Sequence, residues 1–149
     1  MAKVNLFFET LRDNQIEGCI QNYNIIRLKC GIQLKTKDGW TQPYSAIIDT
    51  GAHTSVIPLS IWKELACERK GEYKMFGISK KEECSIPVDI GKITCIIIDE
   101  FGNCTKELTI YAFLAKTDKV PLIIGFKDLL EKFNAVFNFN KKIAYIEDN

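Results

Sequence analysis

One short stretch combines a carboxylate with residue types that can hold it in place. Residues 46–58 read AIIDTGAHTSVIP, and the apolar Ile47 and Ile48 predict the end of a buried strand directly before Asp49. Gly51 permits a tight turn that a Cβ would obstruct, and the hydroxyl of Thr50 can both donate and accept hydrogen bonds. A carboxylate that projects from such a rigid base is suited to proton transfer.

The segments on either side predict the elements that position Asp49. Residues 24–36 (NIIRLKCGIQLKT) and 41–48 (TQPYSAII) read as two strands joined by an Asp-Gly turn, so they form a hairpin that ends at Asp49. After the stretch, Pro58 and apolar residues spaced as on one helix face predict a short amphipathic helix over residues 59–67.

The second half of the chain reads as strands joined by turns. Strands are predicted over residues 72–78, 84–99 and 106–115, and the apolar segment PLIIG (121–125) follows them. The continuous apolar runs ITCIII and LTIYAFL indicate strands buried on both faces. A second short helix is predicted over residues 126–133, followed by a hairpin whose turn lies at residues 140–142. The pattern predicts a mostly β, barrel-like fold with two short helices.

Length, charge and cysteine spacing narrow the function classes. The 149 residues, 46% of them hydrophobic, suffice for one domain with its own core. The 20 Lys and Arg nearly balance the 19 Asp and Glu, and no basic stripe with interleaved aromatic residues occurs, so we expect no nucleic-acid partner. Six widely spaced cysteines and one histidine favour reduced thiols that mostly fill the core, and we expect neither a metal nor a cofactor.

The N-terminal residues carry an apolar patch that is too short for a signal peptide or a membrane span. We therefore expect a soluble cytoplasmic protein without a membrane partner.

Two motifs together resemble one protein family. The stretch IIDTGAHTSVI resembles the catalytic motif of the retropepsin-like aspartic proteases, the family of retroviral proteases and their cellular single-domain relatives. PLIIG followed by DLL resembles the segment that packs beside the aspartate in that fold, and EYKMFGIS resembles more loosely the flap, the hairpin over the substrate cleft. The resemblance spans roughly residues 24–147, and residues 1–23 have no counterpart.

The resemblance implies a fold, a domain division and a set of site residues. It implies a retropepsin-like (acid protease) closed β-barrel with two short helices and one lobe per chain, formed by residues 24–149 after an N-terminal extension, residues 1–23, of uncertain order. The implied catalytic residues are Asp49, Thr50 and Gly51. The implied substrate-binding residues are Ala52, His53, Phe76, Gly77 and Ile78, and the implied structural support is Ile124 and Gly125.

A single aspartate is not enough for this chemistry. An ordinary Asp carboxyl, with a pKa near 3.9, is ionised at pH 7 and can act as a base but not as the acid that protonates a leaving amine. Two carboxylates about 3 Å apart share one proton and supply both roles. The other apolar-Asp-x-Gly sequence, at Asp89, lacks the hydroxyl residue and reads as a turn at a strand edge. We therefore expect a homodimer with one Asp49 from each subunit, acting on an extended peptide or protein substrate.

Two positions depart from the retroviral pattern. His53 stands where retroviral enzymes have an acidic residue, and Phe126 stands where they often have arginine, so both halves of an ion pair are absent together. His53 either contacts the substrate, or tunes the pair of aspartates, or is a partly exposed loop histidine.

Two other functions stay open beside an active endopeptidase. One is a catalytically weak or inactive module for peptide binding or dimerisation. The other is a domain cut from a polyprotein that is itself the natural substrate.

Overall fold

The structure is a computed structural model that describes residues 3–76 and 85–148, and it is mostly β, as the sequence predicts. Its elements in chain order are β1 (Val4–Asn5), β2 (Phe7–Leu11), α1 (Asn14–Glu17), β3 (Ile25–Leu34), β4 (Tyr44–Ile48), β5 (Ser55–Ile57), α2 (Leu59–Trp62), β6 (Glu68–Met75), β7 (Ile86–Ile98), β8 (Leu108–Ala115), β9 (Ile123–Ile124), a 3₁₀ helix (Leu130–Lys132), β10 (Phe133–Asn138) and β11 (Ile143–Asp148).

The strands form two sheets, and the larger one closes on itself. Its order is β2-β3-β4-β9-β5-β8-β7-β6, and β3 also pairs with β7. The pairings from β3 through β4, β9, β5, β8 and β7 therefore return to β3 and make a hydrogen-bonded ring. The smaller sheet has the order β1-β11-β10.

The main core is built from alternating positions of the ring strands. On β8, Leu108, Ile110 and Ala112 are buried while Thr109 and Tyr111 between them are exposed. β7 alternates in the same way between buried and half-buried residues from residue 93 to residue 98. The expectation that both apolar runs are buried on both faces is therefore wrong for most of their length, because one face of this hairpin points away from the core.

Only some of the described cysteines are part of the hydrophobic core. Cys30 and Cys95 are buried in the main cluster, and burial raises the pKa of each thiol to about 12. Cys19 and Cys104 are exposed and Cys67 is half-buried, so the prediction of core-filling thiols is confirmed for Cys30 and Cys95 alone among the described cysteines.

The helices are shorter than predicted. The helix expected over residues 59–67 is α2, Leu59–Trp62, whose last residue is buried and donates its indole N–H to the Ala115 carbonyl at 2.6 Å. Residues 126–133 contain turns and the 3₁₀ helix instead of an α-helix, while α1 was not predicted. Among the described residues, no helix has the length and apolar character required to cross a membrane.

The first strands, which the sequence left unplaced, extend both sheets. Val4 and Asn5 pair with β11, and β2 pairs with β3. The Asp99 carboxylate, directly after β7, accepts hydrogen bonds at 2.9 Å from the backbone and side-chain N–H groups of Asn5. It also accepts from Phe101 and Asn103 in the following turn, so one side chain joins β1 to the end of β7.

Gly31 should be required where β3 meets β7. A Cβ at Gly31 would lie 2.8 Å from the Ile98 carbonyl oxygen, whereas nothing lies within 4 Å of a Cβ at Gly39 in the β3–β4 turn. We expect Gly31→Ala to lower the free energy of unfolding by about 1–3 kcal/mol because the strands must separate. Gly39→Ala is the matched control and should stay close to the native value. Urea unfolding of both variants checks this, and equal midpoints would contradict it.

Asp99 should make the free energy of unfolding depend on pH in the acid range. Burial acts to raise the pKa of Asp99, but the hydrogen bonds from Asn5, Asn103 and Phe101 outweigh it and hold the pKa at about 2, below the ordinary 3.8. A carboxyl whose pKa is lowered by folding stabilises the protein above its unfolded pKa, and that contribution is lost as pH falls from about 4 towards 2. Stability measured by urea unfolding from pH 5 to pH 2 should fall more steeply for the native chain than for Asp99→Asn. Parallel profiles would show that the prediction is wrong.

Candidate active site

Asp49 lies one residue beyond β4, at the point where β4 runs parallel to β9. Ile47 and Ile48 pair with Ile123 and Ile124, and the backbone N–H of Asp49 donates to the Ile124 carbonyl at 3.0 Å. The strand pairing therefore continues up to the carboxylate residue itself. Ile48 and Ile124 are buried in the main core, so Asp49 directly follows a well-packed part of the ring.

A tight turn follows and orients the carboxylate. The Gly51 N–H donates to Asp49 Oδ1 at 2.8 Å, and the Ala52 N–H donates to the Asp49 carbonyl at 3.1 Å. Asp49 is half-buried, while Thr50 and Gly51 are exposed. Among the described residues nothing donates to Oδ2 of Asp49, so one carboxylate oxygen is held and the other is available.

The predicted support residues lie beneath this turn. The Phe126 N–H donates to the Ala52 carbonyl at 3.0 Å, and the Lys127 N–H donates to the His53 carbonyl at 2.9 Å. At Gly125, a Cβ would stand 2.8 Å from both the Ala52 oxygen and the Thr54 carbonyl carbon. Only a glycine allows the two backbone segments to approach this closely. Ile124 and Gly125 thus contact the loop that they were expected to support.

Ser55 is a further residue of this support, and no role was predicted for it. Its hydroxyl accepts the Gly125 N–H at 3.0 Å, and both residues are buried. Ser55 is the serine of the D-T-G-A-x-x-S pattern, so the spacing in the sequence was the signal that could have identified it.

Asp128 was also missed, and it ties the segment after Gly125 to β8. Its carboxylate accepts the Tyr111 backbone N–H at 2.9 Å, and its own N–H donates to Glu131 Oε1 at 2.6 Å. Asp128 has a φ of 62°, a left-handed conformation that aspartate adopts more readily than most residues. No local sequence signal indicated the contact with Tyr111, because it depends on how β8 and this turn meet in the fold.

His53 connects the loop to the β6–β7 hairpin through two aromatic rings. Its side chain is exposed, with Nδ1 2.7 Å from Thr54 Oγ1. The His53 ring packs edge-on against Phe113, with ring centroids 5.7 Å apart. Phe113 in turn stacks on Tyr73 of β6 at 5.2 Å. This aromatic row, His53, Phe113 and Tyr73, leads from the Asp49 loop to the hairpin.

A small apolar cluster, separate from the main core, surrounds the aromatic row. Val56, Val88, Phe113 and Ala115 are its buried members. Its partly buried neighbours are Met75, Ile86, Ile90, Val120 and Ile123. Partly exposed apolar side chains can receive apolar side chains of an extended peptide.

The predicted flap residues are described only in part. Phe76 is exposed and directly follows β6, at the end of the hairpin where Met75 pairs with Ile86. Gly77 and Ile78 lie outside the described residues. A role of these three residues in binding substrate stays a prediction.

Asp89, in the second apolar-Asp-x-Gly sequence, lies close to two cationic side chains. It lies within β7 and is only 8% exposed, so the expectation of a turn at a strand edge is wrong. Its carboxylate oxygens lie 3.8 Å from Arg69 and 3.6 Å from Lys116. The geometry gives Asp89 a structural ion-pairing role, which does not resemble the environment of Asp49.

The comparisons with known proteins give no family assignment. No model of a protein family matches the chain, and no curated protein matches it significantly. Among residues 3–76 and 85–148, no group of His, Cys, Asp or Glu is arranged to hold a metal ion. The assignment of this candidate site therefore depends on its geometry alone.

Removal of the Ser55 hydroxyl should weaken the support of the Asp49 loop. Ser55→Ala leaves the buried Gly125 N–H without its acceptor, and we expect the free energy of unfolding to fall by about 1–3 kcal/mol. Ser45→Ala, in the exposed part of β4, is the matched control and should change stability little. Chemical unfolding of both variants is the measurement. A Ser55 variant as stable as the Ser45 variant would contradict this role.

Proposed function

We propose that this protein is an aspartic endopeptidase of the retropepsin-like family that works as a homodimer. The observation that carries the proposal is the way hydrogen bonds fix Asp49. Its backbone N–H donates to β9, and its Oδ1 accepts the Gly51 N–H. A carboxylate fixed on one oxygen and available on the other fits a catalytic role. The finer fold that belongs to this proposal is a closed β-barrel with one lobe per chain, and the closed ring of strands supports it.

The proposed reaction needs the Asp49 side chains of two subunits. Held about 3 Å apart, the two carboxylates share one proton because both cannot easily ionise together. The ionised carboxylate takes a proton from a water molecule as the water attacks the scissile carbonyl carbon. The protonated carboxyl donates to the carbonyl oxygen, and a proton then passes to the leaving nitrogen as the C–N bond breaks. No covalent intermediate with the enzyme forms.

The exposed turn favours a second copy of the chain as the source of the other carboxylate. Thr50 and Gly51 are exposed beside Asp49, so an identical turn can approach across a two-fold axis. The resemblance assigns the Thr50 hydroxyl to contacts between the two turns. Asp89 is a poor alternative because Arg69 and Lys116 already surround its carboxylate.

The substrate in this proposal is an extended peptide that lies between the hairpin and Asp49. The aromatic row and its apolar neighbours offer contacts for apolar side chains. In this arrangement Ala52 and His53 line one wall, and Phe76 contacts the peptide from the other side.

The test is cleavage of an unfolded protein at pH 4 to 6. The native dimer should cleave it, and Asp49→Asn should reduce the rate by about 10²- to 10⁴-fold because the acid–base pair is lost. Asp38→Asn, in the exposed β3–β4 turn, is a matched control that should keep native activity. Analytical ultracentrifugation of the three chains checks that each remains a dimer.

Three results would separate this proposal from its alternatives. Absence of cleavage by a confirmed native dimer would favour the module for peptide binding or dimerisation. Cleavage that survives Asp49→Asn would rule out the proposed pair of carboxylates. A strict monomer that cleaves would rule out the need for a second subunit.

A further inference from the structure

A second feature, away from Asp49, gathers positive charge in a cleft of about 800 Å³. Four cationic side chains line it: Lys37, Lys63, Arg69 and Lys92. They come from the β3–β4 turn, the C-terminal end of α2, β6 and β7, respectively. We call this feature the basic cleft. Four separate elements contribute to it, so the fold and not a local run of lysines brings the charges together.

The positive charge of the basic cleft is largely unbalanced. Among the described residues that line it there is one carboxylate, Glu68, and it is paired with Lys70. Arg69 lies 3.8 Å from an Asp89 carboxylate oxygen. Within the part of the chain that the structure describes, the other three cations, Lys37, Lys63 and Lys92, form no ion pair within 4.0 Å. The whole chain has a net charge of only +1, so this excess is local and does not reflect a generally basic protein.

The walls of the basic cleft add hydrogen-bond donors and a flat apolar surface. Thr94 and Thr109 lie directly opposite each other on β7 and β8, with their hydroxyl oxygens 3.5 Å apart. Arg69 lies over the Trp62 ring at 4.8 Å, which holds the guanidinium at the edge of the cleft. Ammonium, guanidinium and hydroxyl groups together bind carboxylate oxygens well.

The size of the basic cleft and its place beside a free strand edge indicate what kind of anion binds. Cations that are spread around about 800 Å³ suit several spaced carboxylates better than one compact anion. Glu68 and Arg69, which line the cleft, begin β6, the last strand of the larger sheet. In the described residues, β6 pairs only with β7, so its other edge can bind an extended backbone.

We propose that the basic cleft binds an acidic segment of another polypeptide, one that carries several Asp or Glu side chains. The binding uses the cations of the cleft and does not require peptide hydrolysis. It therefore stands independently of the function proposed for Asp49.

The test uses a fluorescein-labelled peptide of alternating Glu and Ser, with Gln in place of Glu in a second peptide. Binding is measured by fluorescence anisotropy on the Asp49→Asn chain, so that no cleavage can interfere. The Glu peptide should bind, the Gln peptide should not, and added salt should weaken the binding. Lys63→Glu together with Lys92→Glu should raise the Kd about tenfold or more, because two attractions become repulsions.

The matched control is Lys119→Glu together with Lys141→Glu. Both lysines are exposed and neither lines the basic cleft, yet the change in net charge is the same. This control should change the Kd much less than the cleft variant does. If circular dichroism shows that the cleft variant is unfolded, Lys63→Ala with Lys92→Ala replaces it, with a rise of about threefold expected.

Four results would overturn the proposal. They are no binding of the Glu peptide, equal binding of the Gln peptide, equal weakening by the control variant, and a lack of any effect of the cleft variants. Binding of inorganic triphosphate or of phosphatidylserine vesicles without binding of the Glu peptide would also overturn it, since the ligand would then be a different anion.

Discussion

The candidate site depends on the close approach of two backbone segments, the turn after Asp49 and the segment after β9. A side chain at Gly125 would collide with the carbonyl groups of Ala52 and Thr54. Because that space is empty, the Phe126 N–H reaches the Ala52 carbonyl and the Gly125 N–H reaches Ser55. Among the described residues every buried side-chain nitrogen and oxygen has a hydrogen-bond partner, and the Ser55 hydroxyl is one of these satisfied groups.

The strand β9 completes the ring although it has only two residues. Ile123 and Ile124 pair in parallel with β4, and Ile123 also faces Val56 of β5 in the antiparallel sense. Two residues therefore connect two strands that flank the Asp49 loop on either side. Ile124 is buried in the main core and Ile123 contacts the smaller apolar cluster, so β9 also links the two apolar regions.

The family resemblance, and not a local pattern, indicated Ile124 and Gly125 beneath Asp49. Local sequence patterns were sufficient for β3, β4, β7, β8 and the turns between neighbouring strands, because these depend on residues close in sequence. They were insufficient where the partner is distant in sequence. The pairing of Val4 with Ile146 in the smaller sheet depends on strands that are distant in sequence. The stacking of Tyr73 on Phe113 depends on β6 and β8 lying on either side of β7, and no local pattern indicates either arrangement. The apolar runs of β7 and β8 led to a prediction of more burial than the structure has. A run of apolar residues does not indicate that one face of the strand lies outside the core.

The β6–β7 hairpin runs between the candidate site and the basic cleft. At one end of the hairpin Met75 lies opposite Ile86 in the strand register, next to the aromatic row. At the other end Glu68 lies opposite Lys92, and both residues line the basic cleft. A strand rises about 3.3 Å per residue, so the length of β6 puts roughly 20–25 Å between the two ends. Over that distance, charges in solvent are largely screened at physiological salt. We therefore expect substitutions in the basic cleft to have little electrostatic effect at the Met75–Ile86 end of the hairpin.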